Sequence, residues 1–87
     1  MPRFKSTPSY VVLRVDPTAH AWLEAARLRA YDAPGPIRAL LAGRSRVEVG
    51  PAEAERALAW AAQIPGWHED GRPPLFVYTP GELLVSG

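Results

Sequence analysis

Short runs of β-branched and aromatic residues, bounded by proline or glycine, predict the strands of this chain. Residues 10–15 and 75–78 have this composition, which suits a half-buried pleated surface. Residues 46–49 alternate between polar and apolar positions with a period of two, and they predict a third strand. Residues 82–85 follow a turn at 79–81 and predict a short arm that pairs back onto the strand before it.

Two alanine-rich stretches predict the main helices, because apolar residues recur there every three to four positions. The first begins at Asp16-Pro17 and continues to about Tyr31. Asp16 is a suitable N-cap, and Pro17 at the first helical position gives up no hydrogen bond. The second helix begins at Gly50-Pro51 and ends near Ile64. The sequence therefore predicts an α+β fold with two main helices packed on a small sheet.

The stretch 37–42 fits two different elements. Its alanine and leucine residues favour a short helix that Gly43 ends, whereas its length also suits a strand. A strand here gives the element order of a ferredoxin-like sandwich, with residues 43–45 as a hairpin turn. Because such folds host many functions, that alternative indicates a protein-interaction domain of unknown partner that binds no nucleic acid.

Length and cysteine content limit how this fold is stabilised. The 87 residues suffice for one domain, over residues 10–87, which follows a flexible arm over residues 1–9. A domain of this size buries only roughly 60–65% of the surface that its unfolded chain exposes. Since the chain has no cysteine, disulfides cannot strengthen this small core. We therefore expect a homodimer.

Composition also bears on location and source. No run approaches the ~18 apolar residues of a membrane span, and no apolar segment follows the basic N-terminus as in an export signal. We expect a soluble cytoplasmic protein with no membrane partner. The absence of asparagine and the ten prolines are typical of a thermophile, although a GC-rich genome gives much the same bias.

Residues that commonly carry catalysis are scarce. There is no cysteine nucleophile, and the glycines form neither a dinucleotide fingerprint nor a phosphate loop. The nearest approach to a reactive cluster is His68-Glu69-Asp70, a pattern that is more often a solvated connection. His20 and His68 stand far apart in unrelated contexts, so no metal site is indicated. We expect a binding protein without catalytic residues, metal or cofactor.

Charge is divided unevenly along the chain. Residues 1–46 carry eight basic and three acidic groups, whereas residues 47–87 carry two basic and six acidic groups. Such a division can mark a basic face for nucleic acid and an acidic half for a second protein. Equally, the two halves can neutralise each other within the fold.

The aromatic residues divide by position. Trp22 and Trp60 lie on or beside apolar helical stripes, so we predict that both belong to the core. Tyr10 and Trp67 have no such neighbours and are candidate stacking platforms for a nucleic-acid strand.

The segment over residues 10–43 resembles a ribbon-helix-helix domain, the DNA-binding fold of bacterial repressors and antitoxins. The resemblance rests on the strand Val11-Val12-Leu13-Arg14-Val15, the helix that follows Asp16-Pro17, the break over 31–35 and the stretch Ile37-Arg38-Ala39-Leu40-Leu41. It implies a dimeric regulator whose paired strands enter the major groove of duplex DNA.

The resemblance also implies which residues contact DNA. One strand face would point to base edges, where arginine can pair with guanine, and the start of the second helix would hold a phosphate. Basic residues of the arm would add non-specific attraction. The candidate contacts are Tyr10, Val12 and Arg14 on the strand, Gly35 and Arg38 at the second helix, and Arg3 and Lys5 on the arm.

Overall fold

The computed structural model describes residues 10–67 and 73–79 and contains three strands and three α-helices within them. In chain order, the elements are β1 (Val11–Val15), α1 (His20–Leu28), a 3-10 turn (Ala30–Asp32), α2 (Gly35–Leu41), β2 (Val47–Val49), α3 (Pro51–Ala62) and β3 (Leu75–Tyr78). The α+β prediction is confirmed. The predicted arm over 1–9, the arm over 82–85 and the His68-Glu69-Asp70 cluster lie outside the described residues.

The three strands form one antiparallel sheet in the order β2-β1-β3, so that β1 is the central strand. Successive side chains of a strand point to opposite faces of a sheet. On one face, apolar residues meet across the strands: Val11 with Val49, Leu13 with Val47, and Val15 with Leu75. This face packs against the helices and contributes to the core.

Residues 35–41 are helical, so of the two alternatives for 37–42 the short helix is confirmed and the strand is wrong, and the described residues do not have the ferredoxin-like order. The physical reason is the spacing of the apolar side chains. Ile37 and Leu40 are three positions apart and are both buried, which is the arrangement of one helix face and not of one strand face. Gly43 follows the helix with a positive φ of 117°, as expected where glycine ends a helix.

The first helix is shorter than predicted. It begins at His20 and not at Pro17, because the side chain of Asp16 forms hydrogen bonds with Thr18 in a turn that precedes the helix. The Asp16 carboxylate Oδ1 accepts hydrogen bonds from the Thr18 backbone N–H at 2.9 Å and from the Thr18 hydroxyl at 2.7 Å. The helix ends at Leu28, where the chain tightens into the 3-10 turn. α3 begins at Pro51, as Gly50-Pro51 predicted.

Trp22 lies at the centre of the contact between α1 and the end of α3. Its side chain is only 1% exposed, so its predicted place in the core is confirmed. The indole Nε1–H donates to the carbonyl oxygen of Ala61 at 3.0 Å. Gly66 passes close behind it, with a φ of 96°, and a Cβ on Gly66 would lie 2.9 Å from the Trp22 backbone nitrogen. This junction fixes both helices against the sheet.

Among the described residues, none of the helices has the length and apolar character needed to cross a membrane.

Candidate functional site

The sheet has a second face, which points away from the helices. Alternation along the strands places Tyr10, Val12 and Arg14 on this side, together with Glu48 of β2 and with Phe76 and Tyr78 of β3. We call these six residues the outer face. It combines aromatic rings with an exposed arginine, whereas the opposite face is aliphatic.

Two aromatic rings of the outer face come from β3. Phe76 is the cross-strand partner of Arg14, and Tyr78 is the partner of Val12. The Phe76 and Tyr78 rings are 6.2 Å apart between centroids and are inclined at 60°, an edge-to-face arrangement. Both rings are half-buried, so each still presents part of its surface to solvent.

A second exposed arginine lies just outside the sheet. The pairing of β1 with β2 ends at Leu13 and Val47. Arg14 follows Leu13 on β1, and Arg46 directly precedes Val47, outside β2. Both arginines are exposed, and neither makes an ion pair or a side-chain hydrogen bond within the part of the chain that the structure describes.

The structure brings some of the predicted contact residues together and separates others. Arg14 lies on the outer face, and alternation places Tyr10, directly before β1, on the same side. Val12 lies between them but is only 2% exposed, so it offers almost no surface to a ligand in this conformation. Gly35 and Arg38 are on α2, which packs on the opposite face of the sheet. Arg3 and Lys5 lie outside the described residues.

The position of β1 bears on how a second chain could pair with this one. Both edges of β1 hydrogen-bond within the chain, to β2 and to β3. A ribbon built from β1 of two chains would therefore have to replace one of these strands.

Phe76 and Tyr78 did not figure among the sequence-predicted contacts. The alternation of the strand over 75–78 indicates that they share a face, but only the pairing with β1 shows that Arg14 shares it too. Trp67, a candidate stacking platform, is half-buried and packs beside Trp22 at the edge of the core, with 6.5 Å between ring centroids.

A groove of about 550 Å³ lies in the helix layer, between α3 and the chain from Asp32 to Pro36. Pro34, Pro36 and Ala59 supply apolar walls, and three polar side chains of α3 stand along the rim: Glu53, Arg56 and Gln63. Trp60 lies among them, one helical turn after Arg56. Trp60 is half-buried and packs against the edge of the core. The predicted core position therefore holds for only one side of its ring.

Trp60 is held in place by a chain of polar contacts. Its indole Nε1–H donates to Asp32 Oδ1 at 2.9 Å, and Arg29 contacts the other carboxylate oxygen at 3.2 Å. The hydrogen bond from Trp60 and the charge of Arg29 favour the ionised carboxylate, and they hold the pKa of Asp32 below its ordinary value of 3.8.

Within the described residues, no three His, Asp or Glu side chains lie close enough together to hold a metal ion. Comparison of the chain with protein-family models, with curated proteins and with solved structures gives no match.

Proposed function

We propose that this protein is a small non-catalytic module that binds nucleic acid on the outer face of its sheet. The observation that carries the proposal is the cross-strand pair on the outer face between an exposed arginine, Arg14, and an aromatic ring, Phe76. The Arg14 guanidinium group, which has no ion pair within the described residues, and the Phe76 ring lie side by side on the sheet face that points away from the helices, and they match the two parts of a nucleotide.

The guanidinium group and the aromatic ring each have a counterpart in a nucleotide, the phosphate and the base. A guanidinium group donates two parallel hydrogen bonds to phosphate oxygens and keeps its charge at any physiological pH. An aromatic ring stacks on a base, and such contacts contribute about 1–3 kcal/mol per base. Tyr78 and Tyr10 extend the aromatic surface on the same side as Phe76.

The exposure of the rings favours unpaired bases. Phe76 and Tyr78 can stack only on bases that are not already stacked within a duplex, as happens in single strands and loops. Duplex DNA, which the ribbon-helix-helix resemblance implies, would instead be read by hydrogen bonds from Arg14 to base edges. We therefore favour a single-stranded segment as ligand, and a regulator that acts on duplex DNA is the alternative form of the proposal.

We also propose that the protein is a homodimer in the cytoplasm. Because β1 is paired on both edges within the chain, a second copy would contact another surface. Leu28 and Tyr31, at the end of α1 and in the turn that follows, are 77% and 78% exposed. They are the surface residues that such a contact would cover.

Fluorescence anisotropy with a labelled oligothymidine tests the proposal. We expect Arg14→Ala to weaken binding and to reduce the salt slope of log K by about 1, as loss of a phosphate contact does. Phe76→Leu should also weaken binding, and it keeps an apolar side chain on the strand. The matched control is Arg27→Ala, which removes the same charge from an exposed position of α1 in the helix layer. Equal losses for Arg14→Ala and Arg27→Ala, or no binding by the native protein at low salt, would reject the proposal. A duplex of the same length distinguishes the two forms of ligand.

A further inference from the structure

We propose that the loop over residues 42–46, which we call the arginine loop, holds the phosphates of the nucleotides that follow the one on the outer face. Arg44 and Arg46 are the residues that make these contacts. The inference rests on the proposed function and deepens it, because it adds a second group of phosphate contacts and makes the ligand a strand of several nucleotides.

The arginine loop lies at the end of the sheet where Arg14 and Phe76 form their cross-strand pair. The last pair between β1 and β2 is Leu13 with Val47. Because these strands are antiparallel, the residue after Leu13 and the residue before Val47 both lie beyond the same end of the ladder. Those two residues are Arg14 and Arg46. A nucleic-acid strand that leaves the outer face at this end therefore passes the arginine loop.

The charge of this part of the chain has one sign. Between Asp32 and Glu48 the sequence contains Arg38, Arg44 and Arg46, and no aspartate or glutamate. Every residue of the arginine loop is exposed. Neither of its arginines forms an ion pair or a side-chain hydrogen bond within the described residues, so both guanidinium groups can bind an anion.

Two carboxylates are near this end of the sheet in sequence. Asp16 is buried and accepts hydrogen bonds from Thr18, so it does not face a ligand in solvent. Glu48 is exposed on β2 and forms no ion pair with Arg46. The exposed groups are thus one carboxylate against three guanidinium groups, those of Arg14 and of the two loop arginines, and this excess of positive charge favours phosphate.

The backbone of the arginine loop is fixed by the end of α2. The Gly43 N–H donates to the Leu40 carbonyl oxygen and the Arg44 N–H donates to the Ala39 carbonyl oxygen, both at 3.1 Å. A loop that is already fixed loses little conformational freedom on binding. Two residues of chain span at most about 7 Å, so Arg44 and Arg46 are close enough to contact neighbouring phosphates of one strand.

Fluorescence anisotropy with the labelled oligothymidine, measured over a range of salt concentrations, tests the assignment. Arg44→Ala with Arg46→Ala should reduce the salt slope of log K about twice as much as Arg14→Ala alone, because two phosphate contacts are lost instead of one. The matched control is Arg27→Ala with Arg56→Ala, which removes the same charge from exposed positions of the helix layer. The control should change the slope much less.

A thymidine dinucleotide with a single bridging phosphate separates the two groups of contacts. This probe should occupy Arg14 and Phe76 alone. Its titration, followed by the Phe76 amide resonance, should therefore give the same affinity for the native protein and for the variant that lacks both loop arginines. In the native protein, the Arg44 and Arg46 Nε–H resonances should shift with the oligothymidine but not with the dinucleotide.

The outcomes distinguish this inference from the proposed function. If the native protein does not bind oligothymidine, both are overturned. If it binds and the two double variants have equal salt slopes, this inference alone is overturned, because net charge then explains the loss. It is also overturned if the Arg44 and Arg46 signals do not move with oligothymidine. A loss of dinucleotide affinity in the variant without loop arginines would overturn it too, since these residues would then contact the first phosphate.

Discussion

Trp22 of α1 and Ala61 of α3 are joined by a buried hydrogen bond of 3.0 Å from the indole N–H to the backbone carbonyl. Thirty-nine positions separate the two residues in sequence, so the bond connects the first half of the domain to the second. The same junction fixes α3, which carries Trp60 and one wall of the groove.

Replacement of Trp22 with phenylalanine should lower the free energy of unfolding by about 2–3 kcal/mol. The change removes the indole donor to the Ala61 carbonyl oxygen, which keeps the Ile64 backbone N–H at 3.2 Å, and it removes part of a fully buried ring. Urea denaturation followed by circular dichroism measures the loss. Trp60→Phe is the comparison, since Trp60 is only half-buried and its partner Asp32 is exposed. An effect of Trp60→Phe as large as that of Trp22→Phe would contradict the assigned role of Trp22.

Gly66→Ala should destabilise the protein more than Gly43→Ala does. Both glycines have positive φ angles, of 96° and 117°, which alanine adopts at a cost of about 1 kcal/mol or more. Only at Gly66 does the added methyl group also meet backbone, 2.9 Å from the nitrogen of Trp22, whereas nothing lies within 4 Å at Gly43. Thermal unfolding of the two variants under the same conditions tests the difference, and equal shifts of Tm would show that the close approach has no effect.

The Asp32 carboxylate should titrate below its ordinary pKa of 3.8 in the folded protein, because Trp60 and Arg29 favour its ionised form. A lowered folded-state pKa means that its contribution to stability is present above the unfolded-state value. It is then lost as pH falls through the folded-state value. The Trp60 indole N–H resonance should follow this titration, with a midpoint below 3.8. Asp32→Asn should remove the step, and a midpoint above 3.8 would contradict the observed contacts.

Light scattering coupled to size-exclusion chromatography should give a mass about twice that of the 9.5 kDa chain. We expect Leu28→Ser with Tyr31→Ser to shift the equilibrium toward the monomer, because these exposed apolar side chains are the proposed contact. Leu28 and Tyr31 make little contact within the monomer, so its fold should be retained. A native protein that stays monomeric at high micromolar concentration would exclude this contact.

The strands could be predicted from the sequence because each is a short β-branched or aromatic run, and β1, β2 and β3 lie within one residue of their predicted positions. The start of α3 was equally accessible from Gly50-Pro51. The similar pair Asp16-Pro17 did not start α1, because the Asp16 side chain bonds to Thr18 in a turn before the helix. That outcome depends on the path of the chain, which proline and aspartate alone do not determine.

Only part of the candidate site could be predicted from the sequence. Alternation in β1 identified Tyr10 and Arg14 as neighbours on one face, since that pattern is local. Phe76 joins them through pairing between strands that are far apart in sequence, and local periodicity carries no information about such pairing. The groove could not be predicted for the same reason, because Trp60 and Asp32 are 28 positions apart and only tertiary packing brings them together.

The central claim is that nucleic acid binds the outer face, and a chemical-shift map tests it most directly. Unlabelled oligothymidine is titrated into ¹⁵N-labelled protein at low salt, where phosphate contacts are strongest. We predict that the largest amide shifts fall on β1 and β3, around Arg14, Phe76 and Tyr78, with the Arg14 guanidinium signal among them. Shifts confined to α1 and α3, or no shifts at about millimolar oligonucleotide, would contradict the account.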